Sequence, residues 1–124
     1  MKLIDILYWA ITILLCFLLG FSAYNDLMTS PEFVTTVQRL GYPVYLLKFL
    51  GVAKFAAIIV ILSPIKNRLK DWAYAGVTFD LFGAAFSHYS ISDSTSAIVL
   101  PIIGFVVAMF SYILYILKFD SKEG

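Results

Sequence analysis

Residues 45–87 read YLLKFLGVAKFAAIIVILSPIKNRLKDWAYAGVTFDLFGAAFS, and this stretch decides the fold of the chain. It holds two apolar segments, residues 45–62 and 72–87, joined by a short basic connection. Each segment carries an ionisable side chain near its middle, Lys54 in the first and Asp80 in the second. If the segments form an antiparallel helical hairpin, the two side chains lie at equal depth in the membrane. The reason is that residue numbers 54 and 80 are symmetric about residue 67, the centre of the connection.

This pair of opposite charges indicates the functional or architectural centre of the predicted helical assembly. A charge at the middle of a membrane helix costs about 3 kcal/mol on insertion scales. An oppositely charged neighbour reduces that cost, so we expect Lys54 and Asp80 to face each other between the two helices. Two roles are open for the pair. It is either a structural ion pair that sets the register of the hairpin, or part of a site that holds a ligand head group.

The composition is typical of a membrane protein. The 124 residues are 61% hydrophobic and 14% charged, and their mean hydropathy is +0.91. A soluble domain has about 45–50% apolar and about 25% charged residues. Residues 6–23 and 97–117 form two further apolar runs near the length that a spanning helix needs. We therefore expect an all-α fold, a four-transmembrane-helix bundle that occupies residues 1–124 as a single domain.

Lysine and arginine indicate how this bundle is oriented. Most of them lie in the hairpin connection and near the two chain ends: Lys2, Lys66, Arg68, Lys70, Lys118 and Lys122. The other two connections contribute Arg39 alone. The positive-inside rule then predicts that both termini lie in the cytoplasm. We expect a multi-pass integral protein of the bacterial inner membrane. The net charge of +1 gives no indication of a nucleic-acid partner.

The connection between the first two spans has a helix signature of its own. Ser30 is a candidate hydroxyl cap, and Pro31 follows at the first helical position. Apolar residues then recur at i, i+4 and i+7 until Gly41, which is expected to end the helix. We predict a short amphipathic helix over residues 31–40 that lies on the outer membrane surface.

Small residues recur at helical spacing in the predicted spans. In the third span the stripe consists of Ala73, Gly76, Asp80, Gly83 or Ala84, and Ser87. Such stripes let helix backbones approach closely in lipid. They predict where the third span packs against its neighbours, and ordinary helix packing explains them without a ligand.

Residue types that carry chemistry are scarce. Cys16 is the only cysteine and His88 the only histidine, which excludes an internal disulfide, a cysteine metal cluster and a bis-histidine haem site within one chain. The sequence contains no phosphate-binding glycine loop, dinucleotide fingerprint or nucleophile elbow. It therefore indicates no catalytic residue and no metal ligand, and it does not favour an enzyme.

A set of polar residues nevertheless predicts a ligand site in the core and the outer half. The candidates are Lys54, Asp80, His88, Lys48, Tyr24 and Asp26. A lysine together with a histidine would favour an anionic or carbonyl-bearing group. For Lys48 the alternative is a side chain that extends to the membrane interface. For His88 the alternative is an interaction with the exposed carbonyls at the end of its helix.

Several short motifs occur in order along the chain. They are LGYP at residues 40–43, Gly51 with Lys54, Pro64, LKDWAYAG at residues 69–76, Asp80, and Ser87 with His88. Together these motifs resemble the DoxX-like family of small integral membrane proteins, and the stretch from Lys70 to His88 is the most specific part. One departure is Asp71, which stands where glutamate is expected.

The resemblance implies a four-helix membrane bundle but no defined reaction. The family takes its name from a quinone-linked thiosulfate oxidation subunit, whereas most small members have no assigned reaction and distant relatives act as assembly chaperones for membrane receptors. Two functions are therefore open. One is a non-catalytic accessory or assembly factor that binds a membrane partner, a second copy of itself or a lipid. The alternative is a quinone-binding subunit of a membrane-associated redox complex. The lack of a complete catalytic constellation favours the first, with no cofactor.

Overall fold

A computed structural model describes the backbone of residues 2–64 and 68–123 and the side chains up to residue 119. Within these residues the chain is all-α. Its five helices are α1 (Leu3–Leu27), α2 (Pro31–Arg39), α3 (Tyr45–Leu62), α4 (Arg68–Ser90) and α5 (Thr95–Glu123). The centre of the predicted hairpin connection, residues 65–67 with Lys66, lies outside the described residues, and so does the side chain of Lys122.

Three of the described helices are long and apolar enough to cross a membrane: Leu3–Leu27, Tyr45–Leu62 and Thr95–Phe119. The fourth long helix, α4, has 23 residues but a more polar composition. Its charged residues Lys70, Asp71 and Asp80 are spread over three turns, which lowers the mean hydropathy of any window that spans it.

The four long helices pack side by side. α1 packs against α3 and α5, and α4 packs against the same two helices. The short α2 packs lightly on α3. Because the chain reverses direction between successive long helices, α1 and α4 end where α2 lies, and α3 and α5 begin there. We call this the α2 end and the opposite one the terminal end.

Polar and apolar side chains share the buried face of α1. This face recurs every three or four residues, as expected for one side of a helix, and its members are Tyr8, Thr12, Leu15, Cys16, Leu19, Ala23 and Asp26. Large apolar side chains such as Phe17, Phe49 and Phe79 point outward. An apolar exterior around a partly polar interior suits a chain surrounded by lipid.

One glycine of α3 lies in close contact with α1. A Cβ atom added to Gly51 would lie 2.6 Å from Cγ of Leu27 and 3.1 Å from the carbonyl oxygen of Ala23. No side chain larger than hydrogen fits there without displacing α1. Close backbone contact through small residues is a common way for helices to pack in membranes.

The small-residue stripe predicted for α4 is only partly its packing face. Ser87 is buried, but Gly76 is exposed, and an added Cβ at Gly76 or Gly83 would meet no described atom within 4 Å. The buried face instead carries larger residues: Lys70, Tyr74, Val77, Ala85 and Ser87. The prediction was wrong at the two glycines because packing in this helix uses tyrosine and lysine to fill the interior.

Residues with positive φ end three helices. Gly41 after α2 has a φ of 89°, and Thr29 and Ser92 after α1 and α4 have φ values of 46° and 55°. Left-handed residues of this kind commonly close helix ends, and Gly41 ends α2 as expected. The Ser30 hydroxyl, in contrast, makes no capping hydrogen bond. It is buried and has no partner among the described residues, so the start of α2 rests on Pro31.

Candidate functional site

A lysine-centred polar cluster joins three helices. The Nζ atom of Lys54 on α3 donates to Ser22 Oγ at 2.7 Å and to Asp26 Oδ2 at 2.8 Å, both on α1. Asp80 on α4 completes the cluster, with its Oδ2 atom 3.6 Å from the same nitrogen. The expected proximity of Lys54 and Asp80 is therefore confirmed, but Asp26 is the closer partner.

The two carboxylates differ in how deeply they are enclosed. The side chain of Asp26 is 3% exposed and that of Lys54 12% exposed, whereas Asp80 is 22% exposed. The sequence had placed Asp26 among the candidates at the outer end, apart from the pair at mid-depth. A signal was available, because Asp26 continues the helical spacing of Leu19 and Ala23 on the buried face of α1.

A second cluster closes the α2 end around Asp93. The backbone amide of Asp93 donates to the carbonyl of His88 at 3.0 Å, and that of Ser92 donates to Tyr89. This turn folds Asp93 back onto α4, where its Oδ2 atom accepts a 2.7 Å hydrogen bond from His88 Nδ1. Arg39, the last residue of α2, also donates to Oδ2 of Asp93.

These contacts lower the pKa of Asp93 below its ordinary value. The hydrogen bond from His88 is the largest cause, followed by the backbone hydrogen bond from Ser94 and the charge of Arg39. All three favour the ionised carboxylate. His88, predicted to interact with helix carbonyls or with a ligand, is thus engaged with a carboxylate of its own chain.

This pKa shift predicts an acid-sensitive contribution to stability. A carboxyl with a lowered folded-state pKa stabilises the fold above the ordinary aspartate value of about 3.9 and loses that contribution as the pH falls through the lowered value. Asp93→Asn should therefore lower the unfolding temperature at about pH 6, and the difference from the parent chain should shrink as the pH falls through the lowered pKa of Asp93. Thermal unfolding of both proteins across this range would show it. A constant difference would contradict the assignment.

Two of the predicted site residues do not join either cluster. Lys48 and Tyr24 are both exposed. Among the described side chains, no hydrogen bond or ion pair connects them to Lys54 or His88. The sequence grouped Lys48 with His88 as site candidates but could not give the direction in which Lys48 points.

A third polar cluster, which the sequence did not predict, lies at the terminal end. Lys70 on α4 is completely buried and donates to the hydroxyl of Tyr8 at 3.1 Å. Its Nζ atom lies 5.0 Å from the ring centre of Tyr115 and 5.2 Å from that of Phe119. Nearby, Lys118 pairs with Asp5. Aromatic faces attract a cation in this way.

Hydroxyl groups extend this cluster from the terminal end toward the middle of the long helices. Ser111 Oγ lies 2.6 Å from the hydroxyl of Tyr74 and 2.7 Å from Oγ1 of Thr12. The spacing could have predicted it: Lys70, Tyr74 and Val77 share one face of α4, and Ser111 and Tyr115 share one face of α5. A lysine at the edge of an apolar segment is ordinarily read as a loop residue, which concealed the pattern.

An apolar cavity of about 390 Å³ lies between α4 and α5, near the α2 end. Its lining consists of Leu81, Phe82, Ala85, Phe86, Tyr89, Ile98, Ile102 and Phe105. Polar groups border it toward the α2 end, where Ser92 and Asp93 line the adjoining space. The cavity is separate from the Lys54 cluster, so the two together do not form one polar-anchored pocket.

Comparison with protein families identifies the chain. The model of the DoxX-like family matches residues 10–111. The chain belongs to the DoxX-like family. This membership and the three apolar helices make it a small membrane protein. No curated protein and no solved structure shows significant similarity to it.

The stretch that matches the family contains two polar clusters of this DoxX-like protein completely and the third only in part. Residues 10–111 include the whole Lys54 cluster and the His88–Asp93 contact. The terminal-end cluster lies partly outside, since Tyr8 and Tyr115 flank the matched stretch. Within the described residues no three histidine, cysteine or acidic side chains gather to hold a metal ion. The polar clusters of the DoxX-like protein join its helices through ion pairs and hydrogen bonds.

Proposed function

We propose that this DoxX-like protein is a four-transmembrane-helix accessory factor of the bacterial inner membrane, without a catalytic role of its own. One observation carries the proposal: the lysine side chains inside the helix assembly are bound by other groups of the same chain. Lys54 is bound by Asp26 and Ser22, and Lys70 by Tyr8 and aromatic rings. Catalytic groups need a substrate within hydrogen-bond reach, and these groups are directed at one another.

The length and packing of α4 support its role as the fourth span. Its 23 residues extend about 34 Å at 1.5 Å per residue, which exceeds a hydrocarbon core of about 30 Å. Its polar composition does not oppose this, because Lys70 is buried and Asp80 faces Lys54. Four antiparallel spans then form a bundle, with α2 lying along the outer membrane surface.

The proposed topology has a direct test. In a background with Cys16→Ala, single cysteines at Arg68 and Ser92 should label from opposite sides of the membrane, with Arg68 cytoplasmic, as the positive-inside rule expects. Both positions are exposed, so access is limited by the membrane alone. Membrane-impermeant maleimide applied to intact spheroplasts should label Ser92→Cys, and Arg68→Cys only after lysis. Labelling of both without lysis would reject the four-span arrangement.

The Lys54 cluster favours an accessory role over quinone binding at its centre. A quinone carbonyl needs a free donor, and the ammonium of Lys54 is directed at Ser22, Asp26 and Asp80. Breaking those contacts to bind a ligand would strand a buried carboxylate. We therefore assign Lys54 to the architecture of the protein.

The second candidate function is a quinone-binding subunit, and the α4–α5 cavity favours it. Its volume of about 390 Å³ falls within the range of about 300–1,000 Å³ for small-molecule sites. A quinone ring would pack against Phe82, Phe86 and Phe105. Its carbonyls would then lie toward the hydroxyls at Ser90 and Ser92.

Extraction of the purified protein distinguishes the two functions. The accessory role predicts no visible chromophore and less than stoichiometric quinone in the extracted lipid. Phe86→Trp, which fills the cavity, should leave that trace amount unchanged. One quinone per chain that falls on Phe86→Trp substitution, with Phe17→Trp on α1 as the control, would replace the accessory role by the redox role.

A further inference from the structure

The Lys54 cluster contains more acid than base. One lysine lies between two aspartates from different helices, Asp26 on α1 and Asp80 on α4. The other basic side chains of the α2 end do not supply the missing charge: Arg39 and His88 contact Asp93, and Lys48 is exposed. No charged residue of α5 lies between Thr95 and Leu117. When all three groups are ionised, the cluster has a net charge of −1 within the membrane.

Asp80 carries the uncompensated part of this charge. Lys54 donates to Asp26 at 2.8 Å, but its distance of 3.6 Å from Asp80 is too long for a hydrogen bond. Asp80 accepts no hydrogen bond from another described side chain. It is also the most exposed of the three groups, at 22%. Of the two carboxylates in the cluster, Asp80 is therefore the one placed to bind a second cation.

The face of α4 around Asp80 has room for a neighbouring helix. Gly76 lies one turn before Asp80 and Gly83 one turn after it, and a Cβ added at either would meet no described atom within 4 Å. The helix is also the long helix least suited to face lipid by composition, since it falls outside the set of apolar spans. A partner helix packed on α4 would fill the space at the two glycines and shield the polar surface of α4 from lipid.

From this charge imbalance we infer that Asp80 binds a lysine or arginine in a transmembrane segment of a partner protein. The inference rests on the proposed accessory role and names the chemistry of the partner. A basic residue in a membrane span needs an acidic neighbour, and Asp80 offers one without the loss of the Lys54–Asp26 contact. The glycines on either side let the partner backbone approach α4 closely.

The test uses a synthetic span as the partner. The full chain, labelled with a fluorophore in lipid vesicles, is titrated with a leucine–alanine helix of about 20 residues that carries one lysine at the depth of Asp80. A matched helix has leucine in place of that lysine. Energy transfer should show that the lysine helix associates at least about fivefold more tightly, in line with polar contacts between model membrane helices.

Two variants make the result specific to Asp80. Asp80→Asn should remove the preference for lysine, while Asp71→Asn, which changes an exposed acid at the terminal end of the same helix, should preserve it. The Asp80→Asn variant is expected to keep the Lys54–Asp26 contact. Its unfolding temperature and its elution volume in gel filtration are measured to check that it is folded.

Three results would overturn the inference. They are equal binding of both helices, a lysine preference that survives Asp80→Asn, and Asp80-dependent self-association of the chain without peptide binding, which would identify a second copy as the occupant. None of them concerns bound quinone, so the accessory role stands or falls separately on the extraction experiment.

Discussion

Asp26→Ala will destabilise the folded chain by about 3–5 kcal/mol, the cost of removing one partner of a buried ion pair. Asp26 is the most enclosed group of its cluster and accepts the 2.8 Å hydrogen bond from Lys54. Asp80→Ala will cost only about 1 kcal/mol, typical of a polar contact between membrane helices, because Lys54 keeps its partners on α1. Equilibrium unfolding in mixed detergent micelles would measure both.

A triple variant separates the loss of charge pairing from the loss of packing. Asp26→Ala combined with Lys54→Met and Asp80→Asn removes every charge of the cluster, so that none is left unpaired and most of the stability should return. The order of the two single variants is equally informative. If Asp80→Ala proved the more damaging, the α3–α4 contact would be the principal one and the geometry around Asp26 would be wrong.

Gly51→Ala will destabilise the chain by about 1–3 kcal/mol, the usual cost of overpacking. The new methyl group would lie 2.6 Å from Leu27 Cγ and 3.1 Å from the carbonyl oxygen of Ala23. The leucine can change its rotamer but the carbonyl cannot move without α1. We expect the two helices to separate slightly and the unfolding midpoint to fall.

Gly83→Ala is the matched control. It makes the same chemical change in a helix interior where an added Cβ meets no described atom within 4 Å. Alanine is the better helix former by about 1 kcal/mol, so this variant should be neutral or more stable. Leu27→Ala in the Gly51→Ala background should recover part of the loss. Equal effects of the two glycine substitutions would show that α1 and α3 do not meet at Gly51.

The sequence predicted the helical elements and one polar contact for definable reasons. Apolar length predicts the spans, and the symmetry of Lys54 and Asp80 about one turn predicts their common depth. Asp26 was not paired with Lys54 because α1 is separated from α3 by α2 and its connections. No turn symmetry relates two helices joined in that way, so the relative shift of α1 comes only from packing.

Lys70 shows a second limit of reasoning from the sequence. The apolar segment was drawn from residue 72, whereas α4 begins at Arg68. Those four residues add a helical turn and bring Lys70 onto the buried face with Tyr74 and Val77. Charge-counting rules treat every lysine near a span as a loop residue, although Lys70 continues the helical spacing of Tyr74 and Val77.

The contact between Thr12 and Ser111 joins residues 99 positions apart, and that distance has a consequence for synthesis. The hydroxyl of Thr12 and the buried face of α1 enter the membrane early, but their partners on α5 are translated only after α2, α3 and α4. Asp5 pairs with Lys118 across 113 positions, so its partner is translated later still. Until the ribosome has delivered α5, the insertion machinery must hold an incomplete set of helices whose polar groups lack their final neighbours. Insertion of α5 is therefore the step that gives these polar groups their final partners.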